Sequence, residues 1–144
     1  MLFSQIIGHE DIKKKLIQSV KENRIAHAQL FLGPEGTGKL ALAIAYAQYI
    51  NCTNKRENDS CGECPSCRQM AKLIHPDVHF VFPVNKGPKS SDDKPVSESY
   101  IKYWRELVLA NPYFIESDLQ KAIGIESKNG LIAVAEAKQI ISKL

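Results

Sequence analysis

Two groups of residues in this sequence have the types and spacing to do chemistry. The first is a set of four cysteines, Cys52-x8-Cys61-x2-Cys64-x2-Cys67, gathered within sixteen residues. Four thiolates this close, two of the gaps being two residues long, suit tetrahedral coordination of Zn²⁺. Gly62 eases the tight turn inside CGEC, and Pro65 stiffens the approach to Cys67. All four coordination positions would come from protein, leaving no place for a reactive water, so the expected zinc is structural. An iron–sulfur cluster is the sharper alternative, because CxxCxxC opens a ferredoxin-type run. That run continues with a fourth cysteine three residues later followed by proline, whereas here the fourth lies upstream. A redox CxxC pair would have no use for Cys52, and disulfides are disfavoured in a reducing compartment.

The second group is GPEGTGKL. Gly33, Gly38 and Lys39 match G-x-x-x-x-G-K, with Gly36 and Thr37 inside the loop. Glycines let backbone amides turn toward phosphate oxygens. The following helix adds its positive end, and Lys39 can reach the terminal phosphates. The plain alternative is a glycine-rich turn between a strand and a helix. The next position governs the metal chemistry. Where the full motif places a Ser or Thr hydroxyl on Mg²⁺, this sequence has Leu40, which offers no oxygen. Thr37 precedes the lysine and does not face the metal in the usual geometry. The loop therefore reads as degenerate, with ATP and Mg²⁺ binding not expected to be strong and hydrolysis expected less.

Elements must hold these groups in place. Ile12, Leu16, Ile17 and Val20 mark an amphipathic helix over 10–23, with Glu10–Lys14 and Asp11–Lys15 as supporting pairs. Residues 28–32 (AQLFL) read as a buried parallel strand leading into the glycine loop. Residues 39–50 carry apolar side chains on nearly every face, which predicts a helix buried all round. A short helix follows at about 66–73, and 78–82 (VHFVF) reads as a second buried strand. Residues 83–99, with three prolines among Ser, Asp and Lys, predict a polar loop of disordered composition. Tyr100, Tyr103, Trp104, Leu107 and Val108 mark a helix stopped by Pro112; a weaker helix covers 117–123, and a last helix, 134–144, places Val134, Ala137, Ile141 and Leu144 on one face. The expected fold class is α/β, a parallel sheet flanked by helices, with a four-cysteine zinc module inserted at 51–68.

The chain has 144 residues, the size of one ordinary domain. With 44% apolar and 24% charged residues it has a globular composition. A net charge of +3 is too mild to indicate nucleic-acid binding by itself. No apolar run approaches the roughly 20 residues a membrane helix needs. The N-terminus has no secretory pattern, so a cytoplasmic location with reduced thiols is expected. Other polar and aromatic residues have plain readings. His27 packs beside a strand, His75 sits in a turn beside a metal site already full, and Asp77, Asp92 and Asp93 are loop acids. Trp104 with Tyr100 and Tyr103 forms a helix–core contact. Lys13, Lys14 and Lys15 are a solvated basic run.

The stretch FSQIIGHEDIKKKLIQSVKENRIAHAQLFLGPEGTGK, then YINC, then CGECPSC, resembles the AAA+ clamp-loader subunits of bacterial DNA polymerase III, a family that includes gamma/tau and delta-prime. The likeness is close over residues 3–82 and looser beyond. It implies that 1–144 forms the N-terminal part of an AAA+ P-loop domain. It also implies that Ile7 and Gly8 lie on the adenine side of a nucleotide site, and that Cys52, Cys61, Cys64 and Cys67 are zinc ligands. Leu40 resembles the non-hydrolysing delta-prime type, which braces the ring that loads the sliding clamp; a gamma/tau-type ATPase motor is the alternative. The implied partners are other clamp-loader subunits (gamma/tau and delta) and, through the complex, the sliding clamp and primed DNA. The family's acidic strand, sensor residues and arginine finger are absent from these residues. A fragment is therefore expected, exposing strand edges and apolar surface.

Overall fold

The computed structural model describes residues 1–143, and the chain divides into two compact units, residues 1–78 and 79 onward. The first unit holds a 3-10 turn, Phe3–Gln5, followed by α1 (Glu10–Lys21), α2 (Lys39–Asn51) and α3 (Pro65–Ala71). α1 opens with Glu10 and Asp11, which suit the positive end of a helix. Ile17 is buried, Leu16 and Val20 pack half-buried against the core, and Ile12 is exposed. Every residue of 41–50 is buried or half-buried, as the all-round apolar pattern of α2 predicts. Phe3, Ile6, Ile17, Leu42, Tyr46 and Tyr49 form the centre of this core. The Phe3 and Tyr49 rings meet edge to face with centroids 5.9 Å apart.

Lys13 departs from the solvated run expected of it. It is 7% exposed, and its ammonium donates to the Ile6 carbonyl at 2.6 Å and to the Glu10 carboxylate at 2.8 Å. A lysine stem can lie along apolar surface while its head satisfies a main-chain oxygen. Glu10 thus pairs with Lys13 and not with Lys14, and that hydrogen bond holds its carboxyl below the usual carboxylate range.

The second unit contains α4 (Ser97–Ala110), α5 (Glu116–Ile123) and α6 (Val134–Lys143). Tyr100, Trp104 and Val108 form the buried stripe of α4. The Trp104 ring packs on Phe80 at 4.3 Å and stacks on Phe82 at 5.6 Å between centroids. Buried Tyr100 anchors the loop before α4: its hydroxyl accepts from the Gly87 amide at 3.1 Å and donates to the Asn85 carbonyl at 3.0 Å. Glu136, in the first turn of α6, accepts the Ser97 amide at 2.7 Å. This supplies an acceptor for one of the unpaired donors that open α4.

The sheet expected from the sequence is not formed. Among the described residues all regular structure is helical, and pairing is limited to one isolated antiparallel bridge, Val84 with Leu131. The architecture is thus all-α, and the α/β reading, a parallel sheet in a partial AAA+ P-loop domain, is corrected. A strand exists only when neighbours take its main-chain groups. At 28–32 no neighbouring strand is present, and the segment is not buried on both sides. Phe31 touches the core, while Leu30 and Leu32 are 86% and 88% exposed. At 79–84 the side chains alternate, with His79 and Val81 outward and Phe82 and Val84 buried. Here a side chain stands in for the missing strand. Ser97 Oγ accepts the Phe82 amide at 3.0 Å and donates to the Phe82 carbonyl at 3.1 Å.

Candidate metal centre and phosphate loop

The four cysteine sulfurs lie within 4.8 Å of one another, and none is in a disulfide. Cys52 is the C-cap of α2, so the helix that follows the glycine loop delivers the first of the four cysteines at its far end. Cys61 follows on the 53–60 loop. Cys64 is the N-cap of α3 with Pro65 at its first position, where a proline's missing N–H costs nothing. Cys67 comes from the first turn of α3. The turn between Cys61 and Cys64 depends on Gly62, whose φ is +76°. A Cβ there would meet only the Leu2 side chain, at 3.7 Å, so a substitution there is penalised by conformation and not by a clash. Gly62→Ala is expected to destabilise the first unit by about 1–2 kcal/mol. Gly62→Asn should recover part of that loss, since asparagine tolerates the left-handed region; urea titrations of both variants check this.

Two of the six sulfur–sulfur edges are close to those of a tetrahedral zinc site. Zn–S bonds of about 2.3 Å at tetrahedral angles give sulfur–sulfur edges of about 3.8 Å. Cys52 to Cys61 is 3.6 Å and Cys61 to Cys67 is 3.9 Å. Main-chain amides supply the second layer. Cys61 Sγ accepts from the Glu63 and Cys64 amides at 3.4 and 3.3 Å. Cys52 Sγ accepts from the Cys61 amide at 3.3 Å, and Cys64 Sγ from the Cys67 amide at 3.5 Å. Such bonds favour the thiolate, and they push the Cys61 and Cys64 thiols below their ordinary range. Burial pushes Cys67 the other way. A cation at the centre would offset that burial cost, because a coordinating thiol is deprotonated outright. His75 stands apart from the cluster; it is buried, and its Nδ1 accepts the Asp77 amide at 3.2 Å.

At the other end of α2 the glycine loop is exposed over 33–36 and ends at buried Gly38, whose φ of +83° makes it the left-handed N-cap. Gly36 is also left-handed. Lys39 folds back on the loop, its ammonium donating to the Gly33 carbonyl at 2.8 Å and to the Pro34 carbonyl. The Thr37 hydroxyl donates to the Pro34 carbonyl at 2.8 Å, so it too faces the loop. Leu40 is half-buried in the first turn of α2. The donor set therefore does not fit Mg²⁺ at this position. Ile7 is largely exposed and Gly8 left-handed. The neighbouring His9, itself at φ +60°, donates from Nε2 to the Thr37 carbonyl at 2.8 Å. The 7–9 stretch and the loop are thus joined through a residue that the sequence reading passed over. Gln48, Asp59 and Ser60, which brace the cysteine loop, were missed as well. The available signal for Gln48 was one amide inside an otherwise apolar helix.

A family model described as DNA polymerase III, delta subunit, matches residues 8–142. The DNA polymerase III subunit delta' of Bacillus subtilis is 32% identical over 91 residues, which is 63% of this chain and 27% of that protein. The DNA polymerase III subunit tau of the same organism is 36% identical over 66 residues, 46% of this chain and 12% of its own length. Protein STICHEL of Arabidopsis thaliana is 39% identical over 67 residues, 46% of this chain and 6% of that protein. The chain thus spans about a quarter or less of these relatives. No solved structure matches it. With its cysteine module and glycine loop lying inside a match that runs over nearly all its residues, the chain belongs to the DNA polymerase III delta subunit family.

Proposed function

We propose that this chain serves in a subunit of the bacterial clamp loader of DNA polymerase III, of the delta-prime type, as a scaffold and not as a motor. The family match supports the clamp-loader reading. The observation that carries the scaffold is Leu40, an apolar side chain where a magnesium-binding hydroxyl is required, beside intact Gly38 and Lys39. On this reading Cys52, Cys61, Cys64 and Cys67 hold one structural zinc. Gly33, Gly36, Thr37, Gly38 and Lys39 retain a phosphate-shaped loop, with Ile7 and Gly8 on its adenine side. The partners are the other clamp-loader subunits (gamma/tau and delta), and through them the sliding clamp and primed DNA, in the bacterial cytoplasm. No helix among the described residues is long and apolar enough to cross a membrane.

Fluorescent ATP titrated with and without Mg²⁺ tests the scaffold. The expected result is weak binding that Mg²⁺ does not tighten, with Leu40→Thr gaining a magnesium-dependent component. Tight, magnesium-dependent binding by the unaltered chain would instead favour a gamma/tau-type ATPase, a reading supported by the intact Lys39 and by the tau relative. Elemental analysis tests the metal. A colourless protein with one zinc per chain is expected, and a brown one would point to iron–sulfur.

A further inference from the structure

The apolar wall of α2 contains one buried amide, Gln48, which is 1% exposed. A buried amide is costly unless both its ends are bonded. Here both are: Oε1 accepts from the Met1 amino group at 2.6 Å, and Nε2 donates to Ser60 Oγ at 2.8 Å. Ser60 is itself buried and directly precedes Cys61. Its amide is held by Asp59 Oδ1 at 2.8 Å, and the same carboxylate accepts the Phe3 and Ser4 amides at 3.0 and 2.9 Å. The loop that carries Cys61 is therefore tied to the 3-10 turn on one side and to α2 on the other. Gln48 lies one helical turn before Cys52, so its bond to Ser60 spans the same gap that the first two ligands must close. Across that gap the Cys61 amide already meets Cys52 Sγ at 3.3 Å.

We propose that Gln48 is a positioning residue of the metal centre, acting through Ser60 to hold Cys61 against Cys52 in register for the ion. This rests on the reading of the four cysteines as a zinc site. The physical gain is preorganisation: a loop ordered in advance loses less freedom when the metal binds. Residues that orient ligands in this way typically change metal affinity by about 10–100-fold when replaced. Gln48→Met keeps the length of the side chain and removes both hydrogen bonds, while Ser60→Ala removes only the partner.

The test is zinc affinity of the full chain, measured by competition with a chromophoric chelator, for the parent, Gln48→Met, Ser60→Ala and the double variant. The expected result is one tightly bound zinc in the parent and an affinity lower by about 10–100-fold in Gln48→Met. Ser60→Ala should show a smaller loss, and the double variant should be no worse than Gln48→Met, because the two residues act as one unit. The cobalt charge-transfer spectrum should remain that of four thiolates throughout. If Gln48→Met fails to fold, as judged by far-ultraviolet circular dichroism, Ser60→Ala decides alone, with a loss of about 10-fold expected. A purely structural role would lower the melting temperatures of the metal-free and zinc-loaded forms equally and leave the affinity within twofold; that outcome, or additive losses in the double variant, overturns the proposal. A parent that binds no zinc would instead remove the metal reading on which it stands.

Discussion

On the zinc reading, replacing Cys67 by serine is expected to abolish tight metal binding and to loosen residues 53–72. Asp59, Ser60 and buried Met70 still tie parts of that segment to the first unit, but little else holds the ligands themselves. The cluster it builds consists of the four cysteines alone, Cys52, Cys61 and Cys67 buried with Cys64 against them. α3 has seven residues, below the roughly 12–15 at which an isolated helix becomes even marginal. In small zinc modules the apparent binding free energy is about 10–16 kcal/mol and is largely folding free energy. Cys67 is the most buried of the four, and its thiol is pushed up by burial, so without a metal it resists becoming a thiolate. Limited proteolysis reads the outcome directly. Lys55 and Arg56 lie in the loop between Cys52 and Cys61, and Cys67→Ser or chelator-treated protein should be cut there far faster than the zinc-loaded parent. Equal cleavage rates in all three samples would show that the metal does not organise the segment.

The second large effect falls in the other unit. Trp104→Ala is expected to destabilise that unit by about 3–5 kcal/mol, the usual loss for a buried aromatic cut back to alanine. The indole is almost fully buried, and it packs on both Phe80 and Phe82, so its removal leaves a cavity and strips two ring contacts at once. Against a typical total of about 5–15 kcal/mol such a loss is close to unfolding. Trp104→Phe keeps one ring in place and should lose less. Chemical denaturation followed by far-ultraviolet circular dichroism gives both values, and in the parent the single tryptophan adds a fluorescence probe of this unit. A shift of Trp104→Ala below about 1 kcal/mol, within the range of ordinary surface substitutions and small core changes, would mean that the aromatic stack does not carry the unit.

The helices and the cysteine site were legible because their signals are local. The apolar stripe of α1, the all-round apolar run of α2 and the aromatic stripe of α4 each state a helix within a few residues. The spacing of Cys52, Cys61, Cys64 and Cys67 likewise contains its own geometry, since CxxC can close on one ion only through a tight turn, and Gly62 supplies the left-handed residue. Leu40 was legible for the same reason: it occupies a position where one atom type is required.

What the residues could not state was pairing. Apolar runs at 28–32 and 78–82 have strand composition, yet a strand's main-chain bonds come from segments elsewhere, and no local pattern names them. The tertiary structure left Leu30 and Leu32 outward and gave the Phe82 main chain to Ser97 instead of to a neighbouring strand. It also turned Lys13 inward to the Ile6 carbonyl and set Gln48 against Ser60. By itself the sequence determined the helices, the clustering of the four cysteines and the apolar Leu40 after Lys39, because those depend on neighbours along the chain. The fold class and the bracing of the cysteine loop were decided only in three dimensions, because each depends on which distant group meets a given donor or acceptor.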